Sequence, residues 1–177
     1  MNIRPFRGHT PAIDPSAYVD PTAVVIGEVS IGAEASLWPM AVVRGDIHAV
    51  TIGARSNIQD GAVLHVTHPS EFNPAGYPLT VGEEVIVGHR VVLHGCTIGN
   101  RCLIGMGAVI LDGAVIEDEV IVGAGALVTQ GKRLASGRLY VGNPARALRP
   151  LSERERSHLR YSAAHYVRLA REHKEGP

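Results

Sequence analysis

An aliphatic residue recurs every six positions from about residue 13 to residue 130, a glycine or other small residue usually follows it, and aromatic side chains make up only 5% of the chain. These features predict a mainly β protein: a left-handed parallel β-helix of hexapeptide repeats with about six triangular coils, followed by a C-terminal α-helix. The period matches neither an amphipathic helix nor an alternating strand. An aliphatic every six residues can be buried when each hexad makes one short strand and one corner, so that three hexads close a triangle. Repeats of this type are associated with a left-handed coil.

The copies "IGAEAS", "IGARSN", "VGEEVI", "VGHRVV", "IGNRCL", "IGMGAV" and "VGAGAL" share one template, and "IDPSAY", "VDPTAV", "LWPMAV", "IQDGAV", "ILDGAV" and "IEDEVI" are degenerate versions of it. Numbered by the buried aliphatic, the hexads start at 13, 19 and 25, at 31, 37 and 43, at 52, 58 and 64, at 81, 87 and 93, at 98, 104 and 110, and at 116, 122 and 128. One domain is expected at 177 residues: a lead-in over 1–12, the β-helix over 13–149 and a helix over 150–174 packed on the solenoid. Two coils carry insertions, a short one in "RGDIHAV" and a long one over 66–80 whose Pro, Gly and Asn mark a loop. In the last segment Ser152 and Glu155 make a capping-box pattern, and Leu159, Ala163, Tyr166, Val167 and Ala170 fall on one helical stripe.

Seventeen basic and seventeen acidic side chains cancel. No Lys or Arg run offers a footprint for nucleic acid or an anionic membrane. The start, "MNIRPFRGHTPAID", has no apolar h-region, and the longest apolar stretch, around "CLIGMGAVIL", is far short of the ~18 residues that span a bilayer. A cytoplasmic location is expected. Cys96 and Cys102 are too few for a disulfide framework and read as two buried small side chains.

The chemistry concentrates in histidines. Arg44, His65 and His94 each follow the buried aliphatic of the third face in consecutive coils, so they stack. Strands ~4.8 Å apart let two such imidazoles converge on one metal, making His65 and His94 half a site. His89 lies on the second face across a corner, and five residues of extended chain cover roughly 15 Å, so it cannot reach that ion within its own chain. It can be the third ligand if solenoids pack around a threefold axis, third face against second face, as a homotrimer. Three imidazoles with an open fourth position describe a catalytic metal, Zn²⁺ or else Fe²⁺, Co²⁺ or Ni²⁺. The bland alternative is that His89 and His94 occupy variable surface positions of the template.

The segments "VVRGD", "IGARSNIQDGAVLHVTH", "VGHRVVLHGCTIGNRCLIGMGAVILDGA" and "RPLSERERSHLRYSAAHYV" make the chain resemble the γ-class carbonic anhydrase family, most nearly its YrdA-type branch, over essentially its whole length. The resemblance implies hydration of CO2 to bicarbonate by metal-bound hydroxide at three sites between subunits of the trimer. It implies His65, His89 and His94 as ligands, with Arg44, Asp46, Gln59 and Asp60 lining the site. Arg44 can hold bicarbonate or cross the interface, Gln59 can orient the hydroxide, and Asp60, one coil below His89 at the same template position, can orient that ring. Tyr166 matches a helix tyrosine that approaches the site, although a Tyr on an apolar helix stripe is more often packing. Two relay glutamates of active family members are absent: Ile47 follows Asp46, and His68 stands three residues after His65. His68 has the right ordinary pKa to carry the proton instead. Two other readings stay open. Many hexapeptide β-helices are acyltransferases that use acyl-CoA, and "YVGNPARALR" is similar to their tails. A metal-stabilised trimeric scaffold without turnover would also tolerate the altered relay positions.

Overall fold

Each hexad aliphatic stacks on its counterpart one coil away, and three parallel ladders result in a computed structural model that describes residues 2–176. One column runs Ile13, Ile31, Ile52, Val81, Ile98, Ile116, Leu134. A second runs Val19, Leu37, Ile58, Val87, Ile104, Val122, Tyr140. The third runs Val25, Val43, Leu64, Leu93, Ile110, Val128. All are buried except Ile13 and Val19, which are partly covered in the first coil. At ~1.5–3 kcal/mol for each buried Val, Leu or Ile side chain, these columns dominate the stability of the fold. A second inner ring, four residues after each aliphatic, holds small side chains such as Ala35, Ala41, Ala62, Cys102, Ala108 and Ala126, all buried. That is where the template asks for a small or β-branched residue.

The glycine after the aliphatic has a steric reason. A Cβ built on Gly53 would lie 2.4 Å from the carbonyl oxygen of Gly82 and 2.5 Å from its carbon, and one on Gly105 would lie 2.5 Å from the backbone nitrogen of Ala124. Successive coils come too close at these positions for any side chain.

One corner carries left-handed residues that are not glycine: Glu34, Arg55, Glu84, Arg101 and Glu119, with φ between 51° and 60°. Their alternating charges form a ladder along the solenoid. Arg55 pairs with Glu34 at 3.2 Å and with Glu84 at 3.1 Å, and Arg101 pairs with Glu119 at 3.3 Å. The C-terminal helix, Glu153–Glu175, lies along this edge and adds Arg156 to Glu119 and Arg171 to Glu34. Its N-terminus is the expected capping box, Ser152 with Glu155. Leu159, Ala163, Val167 and Ala170 face the solenoid, and Trp38 packs edge-on to Tyr166 at 5.6 Å between ring centroids. No helix among the described residues is long and apolar enough to cross a membrane.

The structure departs from the expected layout in four places. The first two columns continue to Leu134 and Tyr140, a seventh member of each beyond the six coils that the hexads predict. At the other end Ile3–Arg4 pairs in parallel with Val25 and Ile26, so part of the lead-in joins the sheet. The short insertion is absorbed into one long strand, Val42–Ile52, which pairs with Val24–Ile31 through a bulge between Gly27 and Val29. The corner flattens there because Gly27 and Gly45 touch: a Cβ on Gly27 would sit 2.3 Å from the Gly45 carbonyl oxygen. The long loop ends at Leu79, where the strand Leu79–Val81 begins.

Candidate metal centre

His65 ends the strand Val63–His65 and His94 ends Val92–His94, and the parallel register sets the two residues side by side. Each follows a buried leucine, so strand alternation turns each ring outward. Nδ1 of His65 lies 3.1 Å from Nε2 of His94. The other nitrogen of each ring faces a carboxylate: Nε2 of His65 is 3.1 Å from Oδ1 of Asp46, and Nδ1 of His94 is 2.7 Å from Oδ1 of Asp112. A carboxylate accepts, so each ring spends its N–H on its aspartate. The two inward nitrogens are then lone pairs pointed at each other, an arrangement that calls for a cation or a shared proton between them. Burial chiefly holds His65 below the usual histidine pKa; the Asp46 bond opposes this and the Arg44 charge adds to it, which favours the neutral ring a metal requires.

The fit to a metal is close. Two nitrogens at ~2.0–2.1 Å from a tetrahedral ion stand ~3.3 Å apart, near the observed separation. Among the described residues no three His, Cys, Asp or Glu side chains converge to hold a metal within one chain.

His89 lies on the other sheet, two residues after the strand Ile86–Val87. Its Nδ1 is 2.9 Å from Oδ2 of Asp60, one coil below, and its side chain is 46% exposed, with Nε2 on the ring's other side. It lines a cavity of about 510 Å³ between the second face and the helix, with Gln59, Met106, His158, Ser162 and Tyr166 around it. Burial raises the pKa of Tyr166, and the charge of Asp60 adds to this.

Arg44 donates from Nη1 to Oδ2 of Asp46 at 2.6 Å, and its side chain is 42% exposed. Burial works to raise the Asp46 pKa, but the hydrogen bonds from Arg44 and His65 outweigh it and leave the carboxyl below its ordinary value. The structure thus gathers Arg44, Asp46, His65 and His94 in one cluster and Gln59, Asp60, His89 and Tyr166 in another. His68 is exposed on the loop, and Ile47 packs against the core, so the position after Asp46 carries a packing residue.

Three residues of these clusters escaped the sequence reading. Asp112 and Thr67 act together: Thr67 Oγ1 donates to Asp112 Oδ2 at 2.8 Å while Asp112 holds His94. Asn57, fully buried, accepts from Gln59 Nε2 at 3.0 Å and fixes that amide. Its signal was present, because 57 and 59 flank the buried Ile58 on one side of a strand. Asp112 had no such signal, since "ILDGAV" is an ordinary copy of the template.

The family model for bacterial transferase hexapeptide repeats matches residues 95–130. Protein YrdA of Escherichia coli is 56% identical over 166 residues, covering 94% of this chain and 90% of that protein. Gamma carbonic anhydrase 1, mitochondrial, of Arabidopsis thaliana is 45% identical over 163 residues, covering 92% of this chain and 59% of the plant protein. Among solved structures, a hexapeptide transferase family protein from Anaplasma phagocytophilum superposes with a TM-score of 0.88 at 38% identity, covering 95% of each chain. With relatives this similar over nearly its full length, the chain belongs to the γ-class carbonic anhydrase family, in its YrdA-type branch.

Proposed function

We propose that the protein is a metal-dependent carbonic anhydrase, hydrating CO2 to bicarbonate at three sites between the subunits of a homotrimer. His65 and His94 of one subunit and His89 of the next are the ligands. The observation that carries this reading is the opposed pair of ring nitrogens 3.1 Å apart, each with its outer nitrogen held by an aspartate. Zn²⁺, or Fe²⁺, Co²⁺ or Ni²⁺ with the same nitrogen set, supplies a Lewis acid able to ionise water near pH 7.

The chain's own groups do the rest. Asp46, Asp112 and Asp60 hold the three rings in the tautomers that turn a lone pair toward the shared position. Arg44 keeps donors beyond its single bond to Asp46 and holds the bicarbonate anion by charge-assisted hydrogen bonds. Asn57 fixes the amide of Gln59, whose oxygen is left to accept from the reacting water. Tyr166 walls the second-face cavity. His68, exposed close to His65 in sequence, passes the released proton to bulk.

Stopped-flow CO2 hydration tests the proposal on protein loaded with Zn²⁺ and, anaerobically, with Fe²⁺, beside His94→Ala given the same metals. Hydration that vanishes in the variant is expected; stoichiometric metal without hydration would refute it in favour of a scaffold. The transferase description of the family model and of the superposed structure supports one competing reading, acyl transfer. Acetyl-CoA raising the unfolding temperature of metal-free protein would favour it.

A further inference from the structure

We propose that Asp112, braced by Thr67, is a positioning residue that selects the donor nitrogen of His94 and ties metal capture to the seating of the long loop that runs from Val66 to the strand Leu79–Val81. The inference rests on the metal reading above. Asp112 uses both carboxylate oxygens: Oδ1 accepts from His94 Nδ1 at 2.7 Å, and Oδ2 accepts from the Thr67 hydroxyl at 2.8 Å. With Nδ1–H engaged, Nε2 of His94 must present its lone pair to His65. Without that acceptor the proton can sit on Nε2, where it hydrogen-bonds Nδ1 of His65, and the pair no longer suits a cation.

Thr67 joins the loop to this hydrogen-bonded network. It lies on the outgoing limb, two residues past His65, and exchanges backbone hydrogen bonds of 3.1 and 2.8 Å with Tyr77 on the returning limb. Tyr77 in turn rests on a shelf of two glycines. A Cβ on Gly95 would lie 2.6 Å from Tyr77 Cβ and 2.4 Å from Asp112 Oδ1, and one on Gly113 would lie 2.9 Å from Tyr77 Cε1. The glycine next to His94 therefore leaves room both for the carboxylate to reach the ring and for the loop to settle. His48 fastens the far limb, its Nε2 3.1 Å from the Ala75 carbonyl oxygen. Loop, carboxylate and ligand form one connected unit.

Two readouts test this on the full-length protein. Long-range ¹H–¹⁵N spectra of the metal-free form should place the His94 proton on Nδ1, and Asp112→Ala should move it. Titration with Co²⁺, followed by its visible bands, should show affinity reduced ~10–100-fold in Asp112→Ala. Asp112→Asn, which still offers Nδ1–H a carbonyl oxygen, should recover most of it. Thr67→Val should weaken Co²⁺ binding and speed chymotryptic cleavage after Phe72, which is 91% exposed at the loop tip, and Thr67→Ser should reverse both. An unchanged tautomer in Asp112→Ala, or Co²⁺ affinity and bands equal to wild type, would overturn the proposal. Absence of Co²⁺ binding in wild type, with the tautomer shift intact, would refute the metal reading while leaving Asp112 as the residue that positions His94.

Discussion

Replacing Gly53 by alanine asks one methyl group to enter a space where the next coil's backbone already lies. The added Cβ would meet the Gly82 carbonyl oxygen at 2.4 Å, the Gly82 carbon at 2.5 Å and the Glu83 nitrogen at 2.9 Å. None of these is a flexible side-chain end, so the coils must part by about 1 Å to reach ordinary contact. The hydrogen bonds that join them there, Gly53 N–H to Val81 O at 2.8 Å and Glu84 N–H to Ala54 O at 3.0 Å, lie on the same short segment. Parting by that amount takes both to nearly 4 Å, outside hydrogen-bond range. At ~1 kcal/mol net for each bond, with a further penalty for polar groups left inside the corner, the loss should be about 3 kcal/mol. For a chain of this size that lowers the melting temperature by roughly 6–12 °C. Gly125→Ala is the control: its φ is +66°, but nothing lies within 4 Å of the added methyl, so it carries only the left-handed backbone strain of ~1–2 kcal/mol. Thermal unfolding at one protein and metal concentration compares the two. A Gly125→Ala variant destabilised as much as Gly53→Ala would refute coil proximity as the reason for the template glycine.

Two further outcomes are expected. Hydrogen bonds from Arg149 and from Ser152 lower the Glu155 pKa from the ordinary 4.5 to about 2, so this group stabilises the folded state above pH ~4.5 and loses that effect as pH falls toward 2. The melting-temperature gap between wild type and Glu155→Gln should therefore be constant above pH ~5 and close on acidification; a gap that widens in acid would contradict the cap. If His68 carries the proton to bulk, His68→Ala should lower kcat more than kcat/KM, with imidazole buffer restoring kcat, whereas equal losses in both would remove it from the relay.

The period of six made most of the fold legible, because a buried aliphatic, a glycine and a small residue at fixed offsets each answer a separate packing demand. The ladder of Glu34, Arg55, Glu84, Arg101 and Glu119 was equally open to reading, since every member stands three residues after a first-column aliphatic and the sign alternates. The fate of "RGDIHAV" was hidden, because whether extra residues bulge outward or extend a strand depends on how closely Gly27 and Gly45 approach. In the candidate site, stacking of His65 on His94 follows from the register alone. The partnership of Asp112 with His94 does not, for it joins a ring on one coil to a carboxylate one template position further along the next coil, and it is completed by a loop threonine whose place no periodicity sets.

The carboxylates distinguish the three proposed ligands from the other histidines. His65 faces Asp46 at 3.1 Å, His89 faces Asp60 at 2.9 Å and His94 faces Asp112 at 2.7 Å, each aspartate coming from a neighbouring coil. Coils ~4.8 Å apart suit this, since a short side chain one coil away just reaches a ring nitrogen. His48 bonds to backbone instead, and His158 to the Ser162 hydroxyl at 3.3 Å. His9 comes no nearer than 3.9 Å to Glu28, with both side chains more than half exposed. Surface histidines at variable template positions would have no shared reason to set a ring nitrogen within hydrogen-bond reach of an aspartate, as these three do. A site that must fix three tautomers before a cation arrives does have one, and the two clusters it needs lie on different faces of the chain, which is why the reading requires a second subunit.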